Sequence, residues 1–204
     1  TLAKPGENLY STIDAGLQAY GELLMQNKKG SVVAMQPATG EILAMVTSPT
    51  YNPNLLVGRV RSKNYLELEH DTLIPLFNRA LMAQYPPGSV FKLVQTLTAR
   101  QEMVIFPNTV FGCNKSLVNC HDHINPLDLF GAIQNSCNPY FYMVFKRIIN
   151  QDKFTNRFKD AAWGLENWRL HIMSFGLGGK LGIDIPDEKP GFIPTGNFYN
   201  KIYG

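Results

Sequence analysis

The chain has 204 residues, enough for one large domain with a hydrophobic core, and 45% of its residues are hydrophobic. Charged residues make up 17%, the net charge is +3 and no basic run occurs, which argues against a disordered chain and against nucleic-acid binding. No segment approaches the roughly 18 consecutive apolar residues of a membrane-spanning helix, and no signal peptide is recognisable. Because the sequence begins with Thr1, we expect a fragment or a processed chain, and any membrane anchor would lie upstream.

The first predicted helix runs from Ser11 to about Asn27, with Ser11 or Thr12 as its N-cap. Apolar residues recur within it at helical spacing, which predicts a face turned toward the core. These residues are Leu17, Tyr20 and Leu24.

A β-hairpin is predicted next. Two short apolar segments, residues 31–36 and 41–48, flank a turn that contains Pro37 and Gly40. Residues 55–80 combine apolar and polar residues without a clear period, so no helix or strand is predicted there.

Helices dominate the prediction for the second half. The central one spans residues 89–103, and an irregular segment over 106–125 follows it. A helix over 155–175 is expected to break near Gly164, because glycine is a poor helix former. After it, residues 175–186 are expected to form a loop and a short strand.

Two Asn-Pro pairs predict further helix starts. Asn125-Pro126 and Asn138-Pro139 each place a capping residue before a proline at the first helical position. We expect the first of these helices to end near Gln134 and the second to be longer.

The preceding loop ends, and the central helix begins, within the segment from Tyr85 to Lys92. Its sequence is Tyr-Pro-Pro-Gly-Ser-Val-Phe-Lys. Ser89 is expected in the first turn, with Lys92 on the same face one turn later. A serine hydroxyl needs a base to act as a nucleophile, and burial near a helix start favours the neutral lysine that could be that base. A bare S-x-x-K pattern is also compatible with a capping serine and a solvated lysine.

Ser136-Cys137-Asn138 is a second candidate motif. Pro139 disfavours a helical conformation for the residue before it, so Ser136 and Asn138 can face one cleft from a loop. There a hydroxyl can transfer a proton and an amide can bind a substrate backbone. The alternative is that Asn138 only caps the following helix.

S-x-x-K followed by S-x-N is a signature of penicillin-binding proteins and serine β-lactamases. The sequence resembles the transpeptidase domain of class B penicillin-binding proteins, closest to the cell-elongation type. Blocks similar to that family occur in order along nearly the whole chain. They begin at Ser11 (STIDAGLQ), Val33 (VAMQPATGEILAMV), Ser48 (SPTYNPN), Asn78 (NRAL), Tyr85 (YPPGSVFK), Ser136 (SCNPYF) and Phe175 (FGLG).

The resemblance implies an α+β transpeptidase fold, an antiparallel sheet flanked by helices. Residues 1–204 would form its N-terminal and helical portion, without the C-terminal strands, so a sheet edge would be exposed. The third family motif, Lys-Thr-Gly or Lys-Ser-Gly, does not occur, and Lys180-Leu-Gly lacks the hydroxyl residue. We therefore expect this fragment to be catalytically poor or inactive, although the parent protein is a transpeptidase.

The resemblance also implies residue roles. Ser89 would attack the penultimate D-Ala carbonyl of a peptidoglycan stem peptide, with Lys92 as base, Ser136 as proton relay and Asn138 as substrate ligand. β-Lactams would acylate the same serine. Expected partners are stem peptides and the cell-elongation machinery at the periplasmic face of the bacterial cytoplasmic membrane.

Three cysteines and a histidine form a further cluster, spaced C-x6-C-x2-H-x13-C: Cys113, Cys120, His123 and Cys137. Three thiolates and an imidazole are a typical donor set for structural zinc, and some elongation-type relatives are expected to carry zinc at a comparable place. His121 could replace His123. The alternatives are a Cys113–Cys120 disulfide with Cys137 free, or three free thiols.

Two other functions share some of these features. A serine β-lactamase or a β-lactam sensor has the first two motifs, but no obvious glutamate is present to activate water for hydrolysis. A non-catalytic, zinc-stabilised module is the third hypothesis, and the intact set Ser89, Lys92, Ser136 and Asn138 argues against it.

Overall fold

The computed structural model describes residues 6–203. The chain folds into two compact units, which are considered separately. The first contains the residues up to Ala83 together with Ile185–Lys189, and the second contains Gln84–Asp184 together with the residues from Pro190 onward.

The first unit contains the predicted hairpin. Strands β1 (Gly30–Met35) and β2 (Ile42–Ser48) pair antiparallel, with Gly30 opposite Ser48 and Met35 opposite Ile42. The hairpin prediction is confirmed.

Helix α1 (Ala15–Leu24) is shorter than predicted, and Asp14 caps it by accepting the Leu17 N–H at 2.9 Å. The prediction of Ser11 or Thr12 as the cap was wrong. The Thr12 hydroxyl instead donates to the Ile42 carbonyl at 2.6 Å, which ties the chain before the helix to β2.

The apolar stripe of α1 is not buried as predicted. Its members are Leu17, Tyr20 and Leu24, with 39%, 58% and 51% of their surfaces exposed. The helix approaches β2 through Gly21, where a Cβ would lie 2.8 Å from Val46 Cγ2. Beside it the Gln18 amide accepts the Met45 N–H at 2.8 Å and donates to the Met45 carbonyl at 3.2 Å. A small residue and a polar residue therefore make this contact.

The unassigned stretch 55–80 contains helix α2 (Arg61–Glu69), and helix α3 (Arg79–Met82) follows it. Arg79 is buried, and its guanidinium donates to the carbonyls of Leu73, Ile74 and Phe77. These bonds satisfy a buried charge with main-chain acceptors, so Arg79 organises the turn before α3.

The second unit is helical, with α4 (Phe91–Gln101), α5 (Leu129–Gln134), α6 (Asn138–Ile149), α7 (Arg157–Ser174) and α8 (Gly196–Tyr203). Helices α4, α6 and α7 pack against one another around a buried core. The core residues are Ala99, Ile105, Leu127, Leu129, Ala132, Cys137, Tyr140, Phe141, Val144, Ile148, Trp168 and Ile172. Among residues 6–203, no helix is long and apolar enough to cross a bilayer.

From α7 onward, the chain differs from the prediction in three ways. Helix α7 runs through Gly164 unbroken, because that glycine lets the helix pack closely: a Cβ there would lie 2.5 Å from the Ile149 carbonyl oxygen. Residues 175–186, all described, contain no strand. Helix α8 had no counterpart in the prediction.

Helix α5 begins at Leu129, not at Pro126 as predicted. Asp128 is its cap and accepts the Gly131 N–H at 2.8 Å. Asn125, expected to cap the helix, instead accepts the Cys113 N–H through its side-chain oxygen at 2.7 Å.

Candidate active site and adjacent cysteine–histidine group

Ser89 lies in a short 3-10 turn, Gly88–Val90, immediately before α4, and it is exposed. Gly88 has φ 63°, a left-handed conformation that glycine adopts without steric cost. Lys92 is the second residue of α4, one turn after Ser89 and half-buried. The predicted placement is correct except that the first turn is 3-10.

Ser136 lies in the turn between α5 and α6. Its N–H bonds to the Ile133 carbonyl, and the Cys137 N–H bonds to the Ala132 carbonyl. These two bonds form a Schellman motif, in which glycine normally takes the left-handed position. Here Ser136 takes that position with φ 49°, a conformation that costs a non-glycine residue about 1 kcal/mol or more. The turn thus presents a hydroxyl where most helix ends have none.

Asn138 is the first residue of α6, and Cys137 takes the cap position. The prediction that Asn138 caps this helix was wrong. Its side-chain oxygen accepts from Lys92 Nζ at 2.7 Å, and its side-chain nitrogen donates to the Asn119 carbonyl at 2.8 Å.

The four predicted residues meet at Lys92. Its ammonium donates to the Ser136 carbonyl at 2.6 Å, to Ser136 Oγ at 2.8 Å and to the Asn138 side chain. The Ser136 hydroxyl in turn donates to Ser89 Oγ at 2.9 Å. An unbroken hydrogen-bonded path therefore joins Ser89 to Lys92 through Ser136.

Burial shifts the protonation equilibrium of Lys92 toward the neutral amine. Burial lowers its pKa below the ordinary value of 10.5, although the Cys120 and Cys137 thiols oppose this effect. The Phe141 ring centroid lies 5.7 Å from Nζ, a cation–π contact that favours the ammonium and so opposes the effect of burial. Once Lys92 loses a proton it can accept one from Ser136, and both hydroxyl bonds can reverse so that Ser89 becomes the donor.

The predicted cysteine–histidine group is also assembled. The ligand atoms of its four members lie within 4.8 Å of one another: Cys113, Cys120, His123 and Cys137. Tetrahedral zinc with bonds of about 2.3 Å to sulfur places its ligand atoms about 3.8 Å apart, so the set needs only a small contraction. The three cysteines are free thiols in this structure.

The histidine of this group is His123 and not His121, as its hydrogen bonds show. His123 Nδ1 bonds to the Ile124 carbonyl at 2.7 Å, which leaves Nε2 facing Cys120 Sγ at 3.6 Å. A backbone acceptor on the second ring nitrogen is typical of metal-binding histidines. His121 is exposed and lies outside the group.

The thiols differ in acidity. Burial acts to raise the pKa of Cys120, but hydrogen bonds from the Asn138 backbone N–H, His123 and the other two thiols outweigh it and lower the pKa to about 7. Burial raises the pKa of Cys137 to about 12. A metal ion would supply the charge needed to ionise the buried thiol. The three thiols, the imidazole and the backbone acceptor on His123 therefore fit a zinc ion.

Residues 30–203 match the family model of the penicillin binding protein transpeptidase domain. The chain belongs to this family. The resemblance to class B penicillin-binding proteins of the elongation type is confirmed by relatives named MrdA and PBP2, and so is the α+β transpeptidase fold.

Three similar proteins illustrate the relationship. The peptidoglycan D,D-transpeptidase MrdA of Acinetobacter baumannii is 32% identical over 203 residues, covering 93% of this chain and 28% of that protein. The crystal structure of Pseudomonas aeruginosa PBP2 in complex with WCK 5153 is 30% identical with a TM-score of 0.77, covering 94% of this chain and 42% of that one. The complex between PBP2 and MreC from Helicobacter pylori is 28% identical with a TM-score of 0.75, covering 93% and 34%. This transpeptidase-family chain thus spans less than a third of the curated relatives it matches.

Two contributors to the site were missed in the sequence. Asn119 acts through its backbone carbonyl, which no side-chain pattern reveals. Asn125 positions Cys113, and its place before a proline favoured a helix cap instead.

Proposed function

We propose that the protein containing this chain is a peptidoglycan D,D-transpeptidase that works through a serine acyl-enzyme at Ser89. The observation that carries the proposal is the path Ser89–Ser136–Lys92, with oxygen–oxygen and nitrogen–oxygen distances of 2.9 and 2.8 Å. Such a path activates a hydroxyl and returns its proton to a leaving group, as acyl transfer requires.

In the first half-reaction Ser89 Oγ attacks the penultimate D-Ala carbonyl of a stem peptide. Its proton passes to Ser136 while the Ser136 proton passes to Lys92. The C–N bond then breaks, Ser136 returns a proton to the amine of the departing D-Ala, and an ester to Ser89 remains. In the second half-reaction an amine of a neighbouring stem attacks this ester, loses its proton along the same path and releases Ser89.

Asn138 is the proposed substrate ligand. One of its two side-chain N–H groups is bonded to Asn119, and the other is available to a substrate carbonyl. β-Lactams would acylate Ser89 in place of the stem peptide, as the family name implies.

Partners and location follow from the relatives. Because a related PBP2 forms a complex with MreC, we expect this protein to join a cell-elongation assembly. A substrate in peptidoglycan places the active site on the periplasmic face of the cytoplasmic membrane.

A structural zinc ion is proposed for the group formed by Cys113, Cys120, His123 and Cys137. It would be held in a closed four-ligand site and would stabilise the loop beside Ser136 and Asn138. Elemental analysis of purified protein tests this proposal, and less than stoichiometric zinc would contradict it.

The catalytic proposal is tested with fluorescent penicillin on the full-length protein. We expect one label per molecule, located on Ser89 by peptide mass spectrometry, and no label in Ser89→Ala. Label retained in Ser89→Ala would refute the acyl-enzyme. Rapid loss of label in buffer would favour a β-lactamase. The full-length protein is required because the 204 residues contain no Lys-Thr-Gly or Lys-Ser-Gly motif, and the expected inactivity of this fragment remains a prediction.

A further inference from the structure

The orientation of the Asn138 amide is a problem that Lys92 alone does not solve. A side-chain amide has an accepting end and a donating end of almost the same size. An amine that has lost one proton can donate or accept a hydrogen bond, so in the working enzyme Lys92 would tolerate either end. The Asn119 carbonyl oxygen can only accept, and it lies 2.8 Å from the Asn138 side-chain nitrogen.

We infer that Asn119 is a positioning residue whose backbone carbonyl sets the orientation of the Asn138 amide. It holds the amide oxygen on Lys92, 2.7 Å from Nζ, and keeps the second N–H free for substrate. This inference rests on the proposed roles of Lys92 and Asn138, and it adds a group from outside both sequence motifs.

Asn138 is attached to this segment at a second point. Its backbone N–H donates to the Cys120 sulfur. The Asn119 carbonyl and the Cys120 side chain belong to consecutive residues, so both contacts come from one short stretch of the loop. The start of α6 therefore contacts residues 119 and 120 through both the side chain and the main chain of Asn138.

The geometry of this segment suits a positioning role. Asn119 is exposed and Cys120 is half-buried, and the Asn119 carbonyl accepts from Asn138, which contacts Lys92. No helix or strand of the described chain includes residues 112–126, so this carbonyl is not committed to a regular hydrogen-bonding ladder.

The test compares two glycine variants of the same loop in the full-length protein. Asn119→Gly loosens the backbone that carries the carbonyl. Ser116→Gly loosens the loop three residues earlier and serves as the matched control. The readouts are the rate at which fluorescent penicillin labels the protein and the side-chain amide resonances of protein labelled with ¹⁵N-asparagine, assigned by their loss in Asn138→Ala.

We expect one Asn138 side-chain proton to be protected from solvent exchange in the unmodified protein and in Ser116→Gly, and unprotected in Asn119→Gly. Labelling should slow about fivefold in Asn119→Gly only, the rate equivalent of one net hydrogen bond. An unchanged labelling rate in Asn119→Gly, equal slowing in both variants, or two freely exchanging protons in the unmodified protein would each overturn the inference. An unmodified protein that takes no label would refute the proposed function, whereas the amide resonances would still test the orientation.

Discussion

Two neighbouring regions of the second unit hold their functional groups in different ways. The proposed catalytic residues lie at or just before the starts of α4 and α6, and these helices pack on the core through residues such as Ala99 and Tyr140, which are fully buried. The loop 106–125, which carries Cys113, Cys120 and His123, contains no helix, and its regular pairing is limited to one bridge between Phe111 and Leu127.

The two regions are held in place by different interactions. Packing fixes the catalytic turns, so their geometry is built into the fold. The loop depends on single polar contacts, such as the Asn125 side chain on the Cys113 N–H at 2.7 Å and the Tyr140 hydroxyl on the Thr109 carbonyl at 2.8 Å. A loop without regular secondary structure would gain stability from a metal ion that ties distant residues together.

The largest expected effect is on the rate of acylation in the variant Lys92→Met. Lys92→Met keeps the length and the apolar stem of the side chain but removes the amine. We expect acylation of Ser89 by penicillin to slow by about 10³-fold, within the range for loss of an acid–base catalyst. The melting temperature and the zinc content should stay unchanged. Lys146→Met, an exposed change on α6, is the control. Acylation at the normal rate in Lys92→Met would show that another group is the base.

Metal removal should affect the loop far more than the catalytic turns. With free zinc about a thousandfold above its dissociation constant, zinc binding contributes about 4 kcal/mol to stability. For a chain of this size, chelation should lower the melting temperature by roughly 8–16 °C. Hydrogen exchange should accelerate within residues 106–125 and change little in α4.

The control for this experiment is Cys113→Ala. Before any chelator is added, its melting temperature should already be as low as that of the chelated unmodified protein, and chelator should change it little. If exchange accelerates equally in α4 and in the loop, the two regions form one cooperative unit and the contrast between them fails.

The pH dependence of acylation tests the catalytic side alone. Lys92 must be neutral to accept the Ser136 proton, so the rate should rise about tenfold per pH unit below the pKa of Lys92. Because burial lowers that pKa, the rate should level off below pH 10.5. Stopped-flow labelling between pH 6 and pH 10 measures this profile. A rate that falls with rising pH would indicate that the ammonium, not the amine, is the active form.

The contrast between the regions also explains what the sequence could predict. Ser89 and Lys92 are three residues apart at a helix start, and Ser136 and Asn138 are separated only by Cys137, the N-cap of α6, so local geometry largely fixes each pair. The joining of the two pairs depends on packing between α4 and α6, and it was predictable only through the family resemblance.

Long-range contacts account for the errors. Gly164 signals a helix break by propensity, but the backbone of Ile149 packs where a side chain would lie. Leu17 follows the spacing of a buried face, yet α1 meets β2 through Gly21 and Gln18. The cysteine–histidine group was predictable from residue type, whereas the choice of His123 over His121 depends on the Ile124 carbonyl.

The smallest expected effect measures how strongly the core supports the loop. Tyr140 is fully buried, and burial raises its pKa to about 12, so its neutral hydroxyl donates to the Thr109 carbonyl. Tyr140→Phe removes this bond and keeps the ring, which should cost about 1 kcal/mol, or about 2–4 °C in melting temperature. Tyr142→Phe, on a half-exposed ring of the same helix, should change stability by less than about 0.5 kcal/mol.

Because Thr109 lies four residues before Cys113, zinc affinity should fall severalfold in Tyr140→Phe and stay constant in Tyr142→Phe. Equal zinc affinity in both variants would show that the loop depends on its metal and not on the core.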